Sequence, residues 1–166
     1  MFKEHILAVQ INLAMTYGEL GHPEKALRME RDVYSVRLKL NGEEHAGTLR
    51  AANNYATSLL QLQRFEEARS VLRKTMPVAR RVLGDDHRIT LKKRATYAQA
   101  LFEDDTATLE NLREAVVILE ETTRIARRVL GGAHPLTTSF EGDLRYARAV
   151  LHARETPQPS SPSGSV

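Results

Sequence analysis

Arg80-Arg81-Val82-Leu83-Gly84-Asp85-Asp86-His87 decides the fold, because it returns as Arg127-Arg128-Val129-Leu130-Gly131-Gly132-Ala133-His134 and in outline as Leu38-Lys39-Leu40-Asn41-Gly42-Glu43-Glu44-His45. Each copy reads as a helix end closed by a glycine, with a histidine where the next helix begins. The histidines stand 42 and then 47 residues apart, so the chain is an array of one repeated unit. Such units bury their apolar faces only against neighbours, and a row of small interfaces replaces a single core.

Working outward, each interval between these linkers divides into two helical patterns. Residues 5–20 place Ile6, Leu7, Val9, Leu13, Ala14, Tyr17 and Leu20 at helical spacing, stopped by Gly21-His22-Pro23. A partner helix over 23–40 carries Ala26, Met29, Val33, Val36 and Leu40. The second unit repeats the scheme with Ala52, Tyr55, Ala56, Leu59 and Leu62, then Phe65, Ala68, Val71, Leu72, Met76, Ala79, Val82 and Leu83. Pro77 lies inside that second helix, where a missing donor and a clash with the preceding turn predict a kink. The third unit carries five extra residues within Glu103–Thr108, to be absorbed by a longer turn or an added helical turn. One further helix over 136–153 lacks a partner and reads as a polar cap on the last apolar face. The expected organisation is all-α: a right-handed α-solenoid of three antiparallel helix pairs (about 5–45, 46–87 and 88–134) plus a C-terminal capping helix. The array spans 1–154, followed by a Pro/Ser-rich disordered tail over 155–166.

Composition narrows the function. The 24 Lys and Arg offset 21 Asp and Glu to a net charge of +3 with interleaved signs, unlike a nucleic-acid-binding stripe. The absence of cysteine removes disulfide scaffolds, thiolate zinc sites and a Cys nucleophile. No signal-peptide pattern and no apolar run of membrane-spanning length occur, so the expectation is a cytoplasmic protein without membrane insertion. Gly-rich phosphate loops, His-Glu-x-x-His and Gly-x-Ser-x-Gly are missing, and neither an enzyme nor a cofactor is implied.

In register, Leu13-Ala14, Tyr55-Ala56 and Tyr97-Ala98 align, as do Ala26, Ala68 and Ala115. Small residues there let paired helices approach closely, and the pattern resembles the tetratricopeptide repeat. The 42-residue period, Asn12-Leu13-Ala14, Asn53-Asn54-Tyr55-Ala56 and the Leu-Gly-x-x-His linker are similar to the kinesin-light-chain variety, though no counterpart of its heavy-chain-binding coiled coil is present. Departures occur at Arg145, in place of the repeat alanine, and at Ala46 and Arg88, in place of a proline after the linker histidine. HEAT and armadillo repeats overlap in period and are the competing assignment.

The resemblance implies that the first helix of each unit lines a concave groove. Its inward rungs would be Asn12, Asn54 and Thr96; Met15, Thr57 and Gln99; Glu19, Gln61 and Glu103; with Arg50 and Lys92 at one edge and Asn53 beside them. Amides and hydroxyls there could hold a peptide backbone, while Arg50 and Lys92 receive an acidic residue of a protein or peptide partner. The competing assignment for these side chains is the solvated face of amphipathic helices. On this basis Arg50→Glu with Lys92→Glu should weaken an acidic peptide without changing helicity. The second functional reading is an accessory or self-associating subunit packed through its end faces; Glu30, where the other units have Leu72 and Leu119, reads as end-like. His45, His87 and His134 recur too far apart for one zinc, since stacked helices lie roughly 8–10 Å apart, and a structural role in the turn is expected. Arg80-Arg81 and Arg127-Arg128 answer to the helix macrodipole, and Asp104-Asp105 and Glu120-Glu121 to solvation and capping.

Overall fold

The structure, a computed structural model, describes residues 2–156, with side chains from position 5 onward. Seven helices and no strand occur among them: α1 (Phe2–Glu19), α2 (Pro23–Asn41), α3 (Ala46–Gln61), α4 (Phe65–Leu83), α5 (Arg88–Phe102), α6 (Leu109–Leu130) and α7 (Pro135–Glu155). Consecutive helices pack in pairs, and α3 packs directly on α5 and α5 on α7, so the array is a solenoid with alternate helices on one side. The tail expected from 155 lies outside the described residues beyond Thr156, while Glu155 itself ends α7.

The linkers explain the period. Gly42, Gly84 and Gly131 adopt φ of 77°, 92° and 90°, a region that a Cβ makes costly. Each amide donates to the carbonyl four residues back, that of Leu38, Arg80 or Arg127. The linker histidines then cap the next helix: His45, His87 and His134 Nδ1 accept from Gly47, Ile89 and Leu136 N at 3.1, 3.2 and 3.1 Å. This satisfies one otherwise orphaned helix amide each. The turns inside the first two units are different, using positive φ at Gly21 (78°) and at Gln63 (57°) in the matching place.

Every repeat alanine is enclosed, with Ala14, Ala56, Ala98, Ala68 and Ala115 at 0% exposure. Around them Leu59, Leu72, Leu91, Leu101, Leu112 and Leu119 belong to one continuous core reaching from Leu27 to Ala147. A smaller cluster, Leu7, Val33 and Ala51, seats α1 and α2 against α3. The stripe expected for α1 splits: Leu7 and Ala14 are buried, but Ile6, Val9, Leu13 and Leu20 face outward. Val36 and Leu40 of α2 are likewise exposed.

α4 continues through Pro77 without a break. The five-residue insertion is shared between loop and helix: the α5–α6 connection has six residues where the earlier units have three, and α6 has 22 residues against 19 in α2 and α4. Asp104 orders the loop by accepting from Thr106 N and Oγ1 at 2.9 and 2.6 Å. Thr108 then closes a reciprocal cap with Asn111, whose N donates to Thr108 Oγ1 at 3.2 Å. Arg69 ties the loop to α4 by donating to Asp104 Oδ2 at 3.1 Å and to the Ala100 carbonyl at 2.7 Å. Asp104 is therefore a shielded structural ion-pair partner instead of a solvated acid.

Candidate functional site

The inner faces of α1, α3, α5 and α7, with Ala26 and Glu30 of α2, line an open cavity of about 480 Å³, within the size range of ligand clefts. Nine sequence-assigned groove residues line it: Met15 and Glu19 from α1; Asn53, Asn54, Thr57 and Gln61 from α3; Lys92, Thr96 and Gln99 from α5. Helical spacing accounts for their convergence, since positions three and four apart share a face. Three assigned residues do not line it. Asn12 and Arg50 are exposed outside the cavity, and Glu103 sits at the α5 C-terminus in a separate concavity with Asp104, Asp105 and Arg154.

Among the lining residues that the sequence reading did not assign to the groove are Glu30, Ser58, Phe140 and Asp143. Glu30 is 7% exposed and accepts a hydrogen bond from the Ser58 hydroxyl through Oε2. Its carboxyl is pushed up to about 6 by burial, against the Ser58 hydrogen bond that lowers it. The reading of Glu30 as an end-facing residue is thus corrected: it lies under α3, on the groove floor. Its substitution for the leucine of the other units was the available signal. Asp143 continues the Asn12, Asn54, Thr96 rung, whose steps are 42 residues, by the longer 47-residue step of the third unit. Burial raises its carboxyl above the ordinary range, and Gln99, donating at 3.5 Å, lowers it. Glu103 is raised first by burial and then by the Asp143 charge.

α7 consequently does more than cover an apolar end. His134 caps it as the other linker histidines cap α3 and α5, Phe140 and Ala147 join the main core, and Leu136, Ser139, Phe140 and Asp143 form one wall of the groove. Arg145, in place of the repeat alanine, is exposed and does not prevent this packing.

Hydrogen-bond bookkeeping sets the polarity of the cavity. Thr57 and Thr96 donate their hydroxyl protons to carbonyls of their own helices, those of Asn53 and Lys92, at 3.0 and 2.9 Å. The Ser58 proton goes to Glu30. Asn53 is 9% exposed, and its Oδ1 is buried without a hydrogen-bond partner, an arrangement that costs free energy unless something supplies a donor. The hydroxyls can therefore only accept, and the carboxylates Glu19, Glu30 and Asp143 face the single ammonium of Lys92.

The linker arginines are engaged elsewhere: Arg80 with Asp85 at 2.6 Å, Arg81 with Glu44 at 2.8 Å, and Arg127 with Glu141 at 2.7 Å. Of the acidic pair in α6, Glu120 meets Arg148 at 2.7 Å and Glu121 meets Arg94. A third concavity, between α6 and α7, is lined by Arg124, Arg128 and Arg145, with Glu120 and Glu141 among the other lining residues. Among the described residues no group of three His, Cys, Asp or Glu could hold a metal, and no helix is long and apolar enough to cross a membrane.

The family model described as Tetratricopeptide repeat matches residues 6–47, 48–89 and 106–136, more than half of the chain. No curated protein matches the sequence significantly. Among solved structures, a kinesin light chain of Podosopora anserina with nearly identical TPR-like repeats has a TM-score of 0.77 at 21% identity, covering 95% of this chain and 79% of that one. BtubC (BKLC) of P. vanneervenii has a TM-score of 0.65 at 17% identity, with 96% and 68% covered. A substituted form of the Podosopora anserina protein gives 0.54 at 19% identity, with 90% and 88% covered. Identities this low establish a common fold.

Proposed function

We propose, from the premise that the chain belongs to the tetratricopeptide repeat family, that it is a non-catalytic scaffold holding a peptide segment of a protein partner in its concave groove. Repeats of this family mediate protein–protein interaction. The observation that carries the finer reading is the convergence of nine inward polar and flexible side chains from three helices on one 480 Å³ cavity, with the Asn53 Oδ1 acceptor unmatched on its wall. Asn53, Asn54, Gln61 and Gln99 can donate to and accept from a peptide backbone. Met15, Leu136 and Phe140 provide apolar contact beside them. The separation of Arg50 from this cavity leaves Lys92 as its only cationic lining residue, so the acidic ligand expected from an Arg50–Lys92 pair has little support in the cavity itself.

Selection of random displayed peptides against the protein, with a counter-screen on Asn54→Trp, tests this reading. Asn54 is half-buried on the groove wall, so the indole fills the cavity at little cost to the core. Enriched peptides should bind at about 1 μM, about 8 kcal/mol, and at least about tenfold more weakly to a variant of unchanged helicity. Equal binding to both proteins would remove the groove from the account.

One observation favours a second contact surface. Ile6, Val9 and Leu13 on α1 and Leu20 just past its end, 42–67% exposed, form an apolar stripe on the helix, which packs on α2. Burial against another copy of the chain would make the protein a self-associating subunit. Light scattering during size exclusion should then give a dimer that Val9→Lys with Leu13→Lys converts to monomer; a monomer at all concentrations excludes it.

A further inference from the structure

The floor of the groove is built for a positive charge. Glu30 brings a carboxylate to a site 93% withdrawn from solvent, and one of its oxygens is occupied by the Ser58 hydroxyl. No ion pair neutralises it: no salt bridge joins Glu30 or Asp143 to a basic side chain among the described residues, although most other carboxylates near arginines are paired. Such a buried, unpaired carboxylate is destabilising by itself. Asn53 Oδ1, buried and without a donor, lines the same cavity and independently calls for one. The Thr57 and Thr96 hydroxyls have spent their protons within α3 and α5, so they too present lone pairs inward. Asp143 adds a second part-buried carboxylate from α7.

We propose that the segment bound in this groove presents a lysine or arginine side chain to its floor, with the Glu30 carboxylate as the principal acceptor, Asn53 Oδ1 as a second, and Asp143 supplying field at the α7 end. This rests on the groove reading above and adds the chemistry of the ligand. A guanidinium or ammonium brings several donors on one flexible stem to a place where the protein offers acceptors. Its charge restores to Glu30 the stabilisation that burial took away, as the raised carboxyl of the free protein requires. An acidic side chain in the same place would meet like charge in a shielded site, an arrangement that disfavours wrong partners strongly. The exposed Lys92 at the rim remains available to a carboxylate elsewhere on the same ligand, so a ligand of mixed charge is compatible provided that its cation is the inward residue.

The test uses four fluorescently labelled nonapeptide pools, randomised everywhere except a central residue fixed as Arg, Lys, Gln or Glu, titrated into the wild-type protein, Glu30→Gln, Asp143→Asn and the groove-filled Asn54→Trp. Glutamine keeps the shape of Glu30 and its hydrogen bond from Ser58, and thermal melts verify that each variant folds; Asp143→Asn, which leaves the Glu30–Ser58 contact untouched, carries the test if Glu30→Gln fails to fold. The expected result is binding of the Arg and Lys pools at least about tenfold tighter than the Gln pool, with the Glu pool weakest. Glu30→Gln should collapse that preference, bringing the Arg and Lys pools to the level of the Gln pool on the same variant, and Asp143→Asn should reduce it partially. Pools that bind wild type and lose affinity for Asn54→Trp without preferring a cation overturn this proposal and leave the groove reading intact. Pools that bind wild type and Asn54→Trp alike, or neither, overturn the groove reading and this proposal with it.

Discussion

At the scale of single residues, three positions do work that their residue types alone would not announce. His87 spends its Nδ1 lone pair on the Ile89 amide, which requires a neutral ring with its proton at Nε2. His87→Ala should cost about 1 kcal/mol of stability, and His87→Ser should recover most of it because a serine hydroxyl caps the same amide; denaturant midpoints measure both. Glu30 is a buried acid whose carboxyl is raised from 4.5 to about 6. Between those values the folded chain holds a proton that the unfolded chain has lost, so this group's contribution to stability falls as pH rises through the window. Glu19, Lys92 and Asp143 line the same cavity and are the charges that Glu30 faces there. Glu30→Gln should stabilise the protein on the order of 1 to 2 kcal/mol at neutral pH and leave it unchanged below about pH 4.5. Lys93 shows the opposite sign. It is 0% exposed, its Nζ donates to Thr75 Oγ1 at 2.7 Å, and burial lowers it from 10.5 to about 7. From about pH 7 to 10.5 the unfolded chain binds the proton that the folded chain releases, so stability rises with pH. Lys93→Met should raise the thermal midpoint most below about pH 7, with the gain shrinking toward pH 10.5; an equal gain at both ends would contradict the burial of a chargeable amine.

At the scale of elements, α5 and α1 are the extremes. α5 is flanked by α3, α4, α6 and α7 and buries its length from Thr90 to Phe102 except for Lys92 and Gln99. α1 packs chiefly on α2 through Leu7 and Ala14. Solenoid stability is a sum of units and their interfaces. Amide exchange should therefore be fastest in α1 and slowest in α5, read peptide by peptide by mass spectrometry. The helix pairs were legible in the sequence because glycine, histidine and small residues recur at fixed distances, and because those residues have backbone reasons to sit there. Ala56 at 0% exposure is one such reason; Ala56→Leu should cost about 1–3 kcal/mol by overpacking. The role of α7 was less legible. The lack of a partner helix suggested a polar cap, and Arg145 breaks the alanine rung, whereas the histidine N-cap and the buried Phe140 and Ala147 keep the helix in register with its predecessors.

At the scale of the whole molecule, periodicity was enough to place most of the groove, since rungs of a solenoid are translations of one another. It failed where the groove draws on a residue outside the first helix of a unit. Glu30 belongs to α2 and reaches the cavity beneath α3, where it meets Ser58; its place against Leu72 and Leu119 marked it as unusual without saying where it points. Arg50 failed for a related reason: the helical face is wider than the cavity, so a residue at the edge of the stripe lies beyond it. In the molecule that results, three carboxylates, Glu19, Glu30 and Asp143, line the concave groove beside the one ammonium of Lys92, while arginines line the cleft between α6 and α7 together with Glu120 and Glu141. The most direct test of the central claim is a nuclear magnetic resonance titration of the isotope-labelled protein with a peptide from the random selection. The account predicts perturbations concentrated on the inner faces, at Asn53, Asn54, Thr57, Gln61, Thr96, Gln99 and Asp143. Perturbations confined to the α1 stripe of Ile6, Val9 and Leu13, or to α2, α4 and α6, would contradict it.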